Sequence, residues 1–501
     1  MIRSTVVAIL SVIALSVTQS MTYANATSAI APLLRTVDLN IGQEVNVALS
    51  DGTTAKLKLV DLEEIRDDLR QAVRVARATV EVNGERAILT SANYNLPLTV
   101  GQVQIDCAVT RGCVQPNKNP WALDADARFR LWPAGSPWIR PDTFAYPVKQ
   151  RWFASDTQMS NEPTFVDGGE NPARKDIYYH WGLDFGGAEA LVEVVAATDG
   201  VVVSSGEDVL ASEPKETPAR ARYDVVYVRD ARGWYYRYSH LNTIDEKIRP
   251  GTQVEMGQRI GLLGKEGGSG GWSHLHFDIS AVQPSGRFGI LEGYALVWQV
   301  YHDTRETQLQ AVARPHHVVW AGQSVTLDGS RSWSRQGSPE IAERMWTFTD
   351  GSTASGATVR RRYQQVGQYS EILKVTDSEG RVDYDFARVL VMNPDTPNQL
   401  PPAIHVVYYP TTDIKVGDEV TFKVRSFAID ADDGFESWDF GDGSPTEKTK
   451  SDGNANKLAK NGYAITSHRY TKPGQYLVRV QRTNHRGHTA VGHVHVSVVA
   501  P

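Results

Sequence analysis

Along most of the chain apolar and polar residues alternate with period two, the pattern of strands that turn one face to a core. VNVALSDGTTAKLKLVDL (45–62) alternates on both sides of Asp51-Gly52 and predicts a hairpin. Just beyond it the pattern changes. Leu62, Ile65, Leu69, Val73 and Val75 recur at near-helical spacing, so LEEIRDDLRQAVRVARATV (62–80) is predicted as one helix. TVEVNGERAILTSANYNLPL then returns to strand and turn. Between about 147 and 300 the runs VEVVAATDGVVVSS, DVVYVRD, GWYYRYSHL and HLHFDIS are separated by Gly-rich turns. They predict a mainly antiparallel sheet folded on itself, with an open groove.

The last third repeats itself. MWTFTDGSTASG (Met345–Gly356) and SWDFGDGSPTEK (Ser437–Lys448) share a pattern, each between similar strands. Trp and Phe two apart on a strand send both rings into one core, and Asp-Gly makes the turn. The polar, Pro-rich NPDTPNQLPP (393–402) separates the copies. The fold class expected is therefore all-β dominated. A β-rich N-terminal domain (27–144) precedes the groove-bearing sheet (145–305), and two β-sandwiches follow (306–396 and 400–501). The opening 26 residues hold an early Arg3, an apolar run from Val6 to Val17 and Ala24-Asn25-Ala26. They read as a signal peptide cut after Ala26. The apolar run is too short to span a bilayer. The expected location is secreted, periplasmic or cell-surface, with no membrane span after cleavage.

Composition changes this picture little. A formal charge of −6 gives no basic footprint for nucleic acid, and 12 Trp with 20 Tyr suit a folded, sheet-rich protein. The two cysteines, Cys107 and Cys113, are a close pair in an exported chain and are expected to form a disulfide.

The chemistry is concentrated between His180 and His276. HWGLD supplies His180 and Asp184, YSHL supplies His240, and SHLHFDI supplies His274 and His276. These are the residue types of a catalytic zinc site, which takes three protein ligands and leaves a position for water. On a strand His274 and His276 point the same way, while Leu275, Phe277 and Ile279 face a core. Tyr178, Tyr179, Trp181, Trp234, Tyr236, Tyr238 and Trp272 crowd nearby as core or groove-wall candidates. HVHVSV (His493–Val498) has the same HxH spacing, but no partner pattern accompanies it. It reads as a terminal strand with its histidines on the outer face.

HxxxD, YxHL and HLHF after a Gly-rich run resemble the lysostaphin-type (LytM-like) zinc metallopeptidases, over roughly Tyr146 to Ser280. That resemblance implies His180, Asp184 and His276 as zinc ligands and His240 and His274 as the non-ligand catalytic pair, their individual roles left open. Two departures, the long connection Glu207–Arg222 and the approach KEGGSGGWS to His274, are expected to line the substrate groove. The two repeats resemble PKD domains, immunoglobulin-like sandwiches. Neither holds a nucleophile–base pair, so both are expected to lie outside the chemistry and to serve for polymer or surface binding. Three functions stay open. The chain is a secreted zinc endopeptidase acting on peptidoglycan peptides, a similar hydrolase acting on other extracellular proteins, or a non-catalytic regulator or surface-binding protein.

Overall fold

The computed structural model describes residues 30–92, 94–114, 118–159, 162, 177–335 and 340–501. The expected signal peptide, 1–26, lies outside the described residues. The protein is β-dominated, with one α-helix among the described residues, Tyr294–Arg305. No helix among them is long and apolar enough to cross a membrane.

The first region consists of two four-stranded sheets, Arg35–Leu39, Ala127–Pro133, Val103–Thr110 and Leu98–Val100 against the meander Glu44–Ala48, Thr54–Arg66, Val73–Val82 and Glu85–Thr90. Leu57 and Val80 of one sheet meet Ile105 and Phe129 of the other in a shared core. The helix expected over 62–80 is instead the hairpin between Thr54–Arg66 and Val73–Val82. Its turn is set by Asp67, whose carboxylate accepts the backbone N–H of Leu69 (3.0 Å) and Arg70 (2.7 Å). A short polar side chain that bonds the backbone ahead of it stops a helix there.

The expected disulfide is absent as well: Cys107 and Cys113 are both buried free thiols. Cys107 contributes to the core between the two sheets, whereas Cys113 belongs to a separate cluster with Trp121 and Tyr179. A register shift between Cys107 and Val109 interrupts the strand between them. The two side chains serve different cores. This first region is tied to the middle of the chain by Arg130, buried between Asp106 and Glu292.

That middle part forms a nine-stranded sheet around His274–Val282, which lies between Leu183–Gly186 and Tyr235–Ser239. A three-stranded sheet of Glu193–Val195, Arg259–Leu263 and Leu241–Ile244 lies against it, with Val194, Ile260, Leu183 and Phe277 in one core. That core also takes in Val312 and Val407, from beyond the helix.

The two repeats are sandwiches as expected. Trp346 and Trp438 are fully buried, with Phe348 and Phe440 beside them. They are not separate beads, because Gly367–Asp377 of the first pairs in parallel with Thr489–Val499 of the second, giving one ten-stranded sheet.

Candidate metal centre

Antiparallel register assembles the centre. Asp184 sits opposite His276 and Gly186 opposite His274, so the carboxylate and both imidazoles share one face of the sheet. His180 enters four residues before Asp184, its backbone N–H donated to the carbonyl of Glu162 (2.8 Å). One ligand atom from each of His180, Asp184 and His276 lies within 4.8 Å of the others, and all three residues are buried. His276 Nδ1 is 2.9 Å from Asp184 Oδ1 and 3.1 Å from His180 Nε2.

The outer partners of these rings decide which nitrogens face inward. His180 Nδ1 lies 3.2 Å from the Met159 carbonyl, which can only accept, so that nitrogen carries the proton and Nε2 is left with a lone pair. His276 Nε2 lies 3.2 Å from Asp278, and Asp278 is in turn paired with Arg237. Two imidazole lone pairs and a carboxylate thus converge within bonding reach of one point. Two nitrogens with one oxygen are a donor set that could hold a divalent cation. Charge couples the three groups. Burial opposes ionisation of Asp184, but His180 and His274 overcome it and hold the carboxyl well below its usual range. Burial lowers His180, yet the Asp184 charge outweighs it and the net shift is upward.

His240 and His274 stand beside this cluster with ring centroids 4.7 Å apart. His240 leaves its strand in the left-handed region (φ 67°), where Asp224 accepts its backbone N–H (3.0 Å). Its Nδ1 is 2.6 Å from the Glu266 carbonyl, and His274 Nδ1 is 2.8 Å from the Trp272 carbonyl. In both rings Nε2 is left as an acceptor. Burial pushes His274 down to about 3 and lowers His240 too, so both are neutral at ordinary pH.

Of the aromatic candidates, Trp272 stacks on His274 at 4.3 Å. Trp234, Tyr236 and Tyr238 are core. Tyr179 accepts the Val73 N–H (2.6 Å) and docks the first region. Tyr178 and Trp181 pair with each other edge to face. Two residues that sequence reasoning passed over support the histidines. Asp278 had a legible signal, since it continues the alternating face of His274 and His276. Asp224 had none.

The second sandwich, expected to lie apart, holds the approach to His274. Tyr463 accepts the Ser273 N–H (2.8 Å), Arg425 donates to the Gly271 carbonyl (2.8 Å) and Asn454 to the Gly270 carbonyl (3.0 Å). Gly271 has φ +90°, and a Cβ there would overlap Asn454. The glycine run brings a loop against a sandwich as closely as backbone allows. His495 is on the outer face of its strand as expected, but that face is covered, and Arg151 bonds the ring (2.9 Å). A second grouping, Asp430, Asp433 and His485, is largely exposed and far from this face in sequence.

Comparison with known proteins fits this geometry. Residues 178–286 match peptidase family M23, and residues 309–391 and 405–497 each match the PKD domain. Among solved structures, a catalytic-domain variant of the prophage-encoded M23 protein EnpA from Enterococcus faecalis is 22% identical over 23% of this chain and 79% of its own, at TM-score 0.17. Helicobacter pylori Csd3 is 13% identical over 52% and 81%, at TM-score 0.21. The fibronectin(III)-like modules of Clostridium thermocellum CbhA are 12% identical over 38% and 94%, at TM-score 0.15. The chain therefore carries a metallopeptidase domain of family M23 followed by two PKD domains.

Proposed function

We propose that the protein is an exported zinc endopeptidase that hydrolyses peptide bonds in peptidoglycan stem or cross-bridge peptides. The observation that carries the reading is the convergence of His180, Asp184 and His276 beside two neutral imidazoles. His180 and His276 would hold the ion through Nε2 and Nδ1 and Asp184 through a carboxylate oxygen. A bound zinc supplies Lewis acidity, polarising a carbonyl and lowering the pKa of water from 15.7 towards roughly 7.

The rest falls to the chain. His240 and His274 present Nε2 acceptors within one small space. One takes the proton of the attacking water, and a ring so protonated returns it to the leaving amine. Trp272 limits the ring orientation of His274, and the carbonyls of Glu266 and Trp272 fix the tautomers. No Ser or Cys nucleophile is needed for this route.

The test combines bound-metal analysis with turbidity loss of purified cell walls. Stoichiometric zinc with wall lysis supports the proposal. Zinc with cleavage of soluble proteins alone moves the substrate to other extracellular proteins. Absence of zinc after loading returns the chain to a non-catalytic binding role.

A further inference from the structure

The face of the sheet that carries the candidate ligands continues past them. Ser239 stands opposite His276 and Arg237 opposite Asp278, so these side chains leave the sheet on the same side as Asp184. Arg237 thus lies one step along this face from the metal centre. Its Nη1 donates to Asp278 Oδ2 (3.3 Å), and the same oxygen lies 3.2 Å from His276 Nε2. Two hydrogen bonds separate this cation from a candidate ligand.

Most of the guanidinium is unused. It has five N–H donors, and among the described residues the long contact with Asp278 is its one hydrogen bond. Nε is buried without an acceptor. Burial opposes the charge, but the Asp278 carboxylate outweighs it and the side chain stays ionised. About a fifth of the side chain remains open, 18% by surface. Arg229, one row further along the same face, makes the contrast. Glu213 holds it at 3.1 Å and also accepts from the Tyr235 hydroxyl.

Buried donors on a charged group call for acceptors, and the charge selects an anionic one. Asp278 serves His276 as well as Arg237. Set against a divalent ion at the candidate centre, the charges of Asp184 and Asp278 are spent, and that of Arg237 has no counterpart. Lys118 brings a second cation to the neighbourhood. Its ammonium is 5.9 Å from the ring centre of Tyr178, whose phenol interacts with Arg237. A planar guanidinium fork fits a carboxylate better than any other anion a peptide carries.

We infer that Arg237 is a substrate-anchoring residue that binds a carboxylate of the peptide being cut, one or two residues from the scissile bond. The position follows from the two hydrogen bonds between the guanidinium and His276, set against the ~3.3 Å an extended peptide advances per residue. The inference rests on the peptidase reading. It narrows the substrates to acidic peptides with a free carboxylate close to the bond.

The test uses the full-length, zinc-loaded protein and soluble quenched peptides that differ only at the first and second residues on either side of the scissile bond. Glu and Gln are placed at each in turn. One position should favour Glu over Gln by about 10–150-fold in kcat/KM, the worth of a hydrogen bond to a charged group. Arg237→Gln should collapse that ratio, and Arg237→Lys, which keeps the charge without the fork, should retain only part of it. Zinc titration and equilibrium binding of the same peptides are read alongside. A role confined to orienting Asp278 and His276 would weaken zinc and lower both peptides together, leaving the ratio unchanged, and that result overturns the anchor. So does a parent protein that treats Glu and Gln alike at every position, whether or not the variants fold. A series in which nothing is cut, but Glu peptides bind best and lose this in Arg237→Gln, sinks the peptidase reading and keeps the anchor. Peptides neither cut nor bound overturn both.

Discussion

Tyr463→Phe removes one oxygen from a sandwich residue 190 positions away from Ser273, and is expected to damage catalysis. The phenol accepts the Ser273 N–H at 2.8 Å and contacts His405 Nδ1 at 2.8 Å. Ser273 is fully buried, so water cannot replace the lost acceptor. Leaving a buried N–H unpaired costs about 1–3 kcal/mol. The loop can recover part of that only by moving, and Ser273 precedes His274. At about 1.4 kcal/mol per tenfold, the same energy spent on misplacing His274 lowers the rate 5- to 150-fold, and a 1 Å shift alone can cost about 10²-fold. Tyr463→Phe should therefore lose about 10–100-fold in kcat/KM on a soluble peptide while keeping its zinc. Tyr408→Phe is the control. Its hydroxyl donates to the His495 carbonyl (2.7 Å) and also bonds Arg151, away from the loop. It should lower the melting temperature similarly and leave kcat/KM near the parent value. Equal activity in both variants would refute the idea that the sandwich seats the catalytic loop. Loss of zinc from Tyr463→Phe would show instead that the disturbance reaches the ligands.

Four further outcomes are expected. Ala at His180, Asp184 or His276 should abolish zinc binding, and Asp278→Asn should weaken it about 10–100-fold in a metal titration, because it orients His276 from behind. Ala at His240 or His274 should retain stoichiometric zinc and lose roughly 10²–10⁴ in turnover; loss of the metal would place that residue among the ligands. His302 is buried between Trp298 and Trp333, and burial, aided by Arg335, pushes it down to about 3. Between that value and the free value near 6.5 the unfolded chain binds a proton that the native chain does not, so stability falls as pH drops through this window. Each such group contributes up to about 1.4 kcal/mol per pH unit, and denaturant melts of His302→Phe should show a shallower acid loss than the parent. Finally, burial raises the Cys107 thiol to about 12 and Cys113 further, so alkylation near neutral pH should label neither in the native protein and both after denaturation.

What the sequence disclosed and what it hid divide along physical lines. The closeness of His180, Asp184 and His276 was legible because a period-two strand fixes the mutual direction of His274 and His276 whatever surrounds them. The sandwich cores were legible for the same reason, through Trp438 and Phe440. Residues 62–80 misled because Leu62, Ile65 and Leu69 fall at helical intervals by accident, while the decisive signal was the turn chemistry of Asp67. Cys107 and Cys113 misled because closeness along the chain says nothing of which core each side chain enters. Tyr463, Arg425 and Asn454 were beyond reach. Their partners are backbone atoms of a glycine loop far away in sequence, and such contacts leave no local pattern.

The sharing of one sheet by the two sandwiches bears on the order in which the molecule comes into being. A chain is made from its N-terminus, so every candidate ligand and both candidate catalytic imidazoles exist before Arg425 and Tyr463 have been synthesised. The strand Gly367–Asp377 then waits for Thr489–Val499 before the joint sheet can close. On the peptidase proposal, a chain clipped in the linker would keep all three candidate ligands yet lack the Tyr463 and Arg425 contacts that seat the loop ahead of His274.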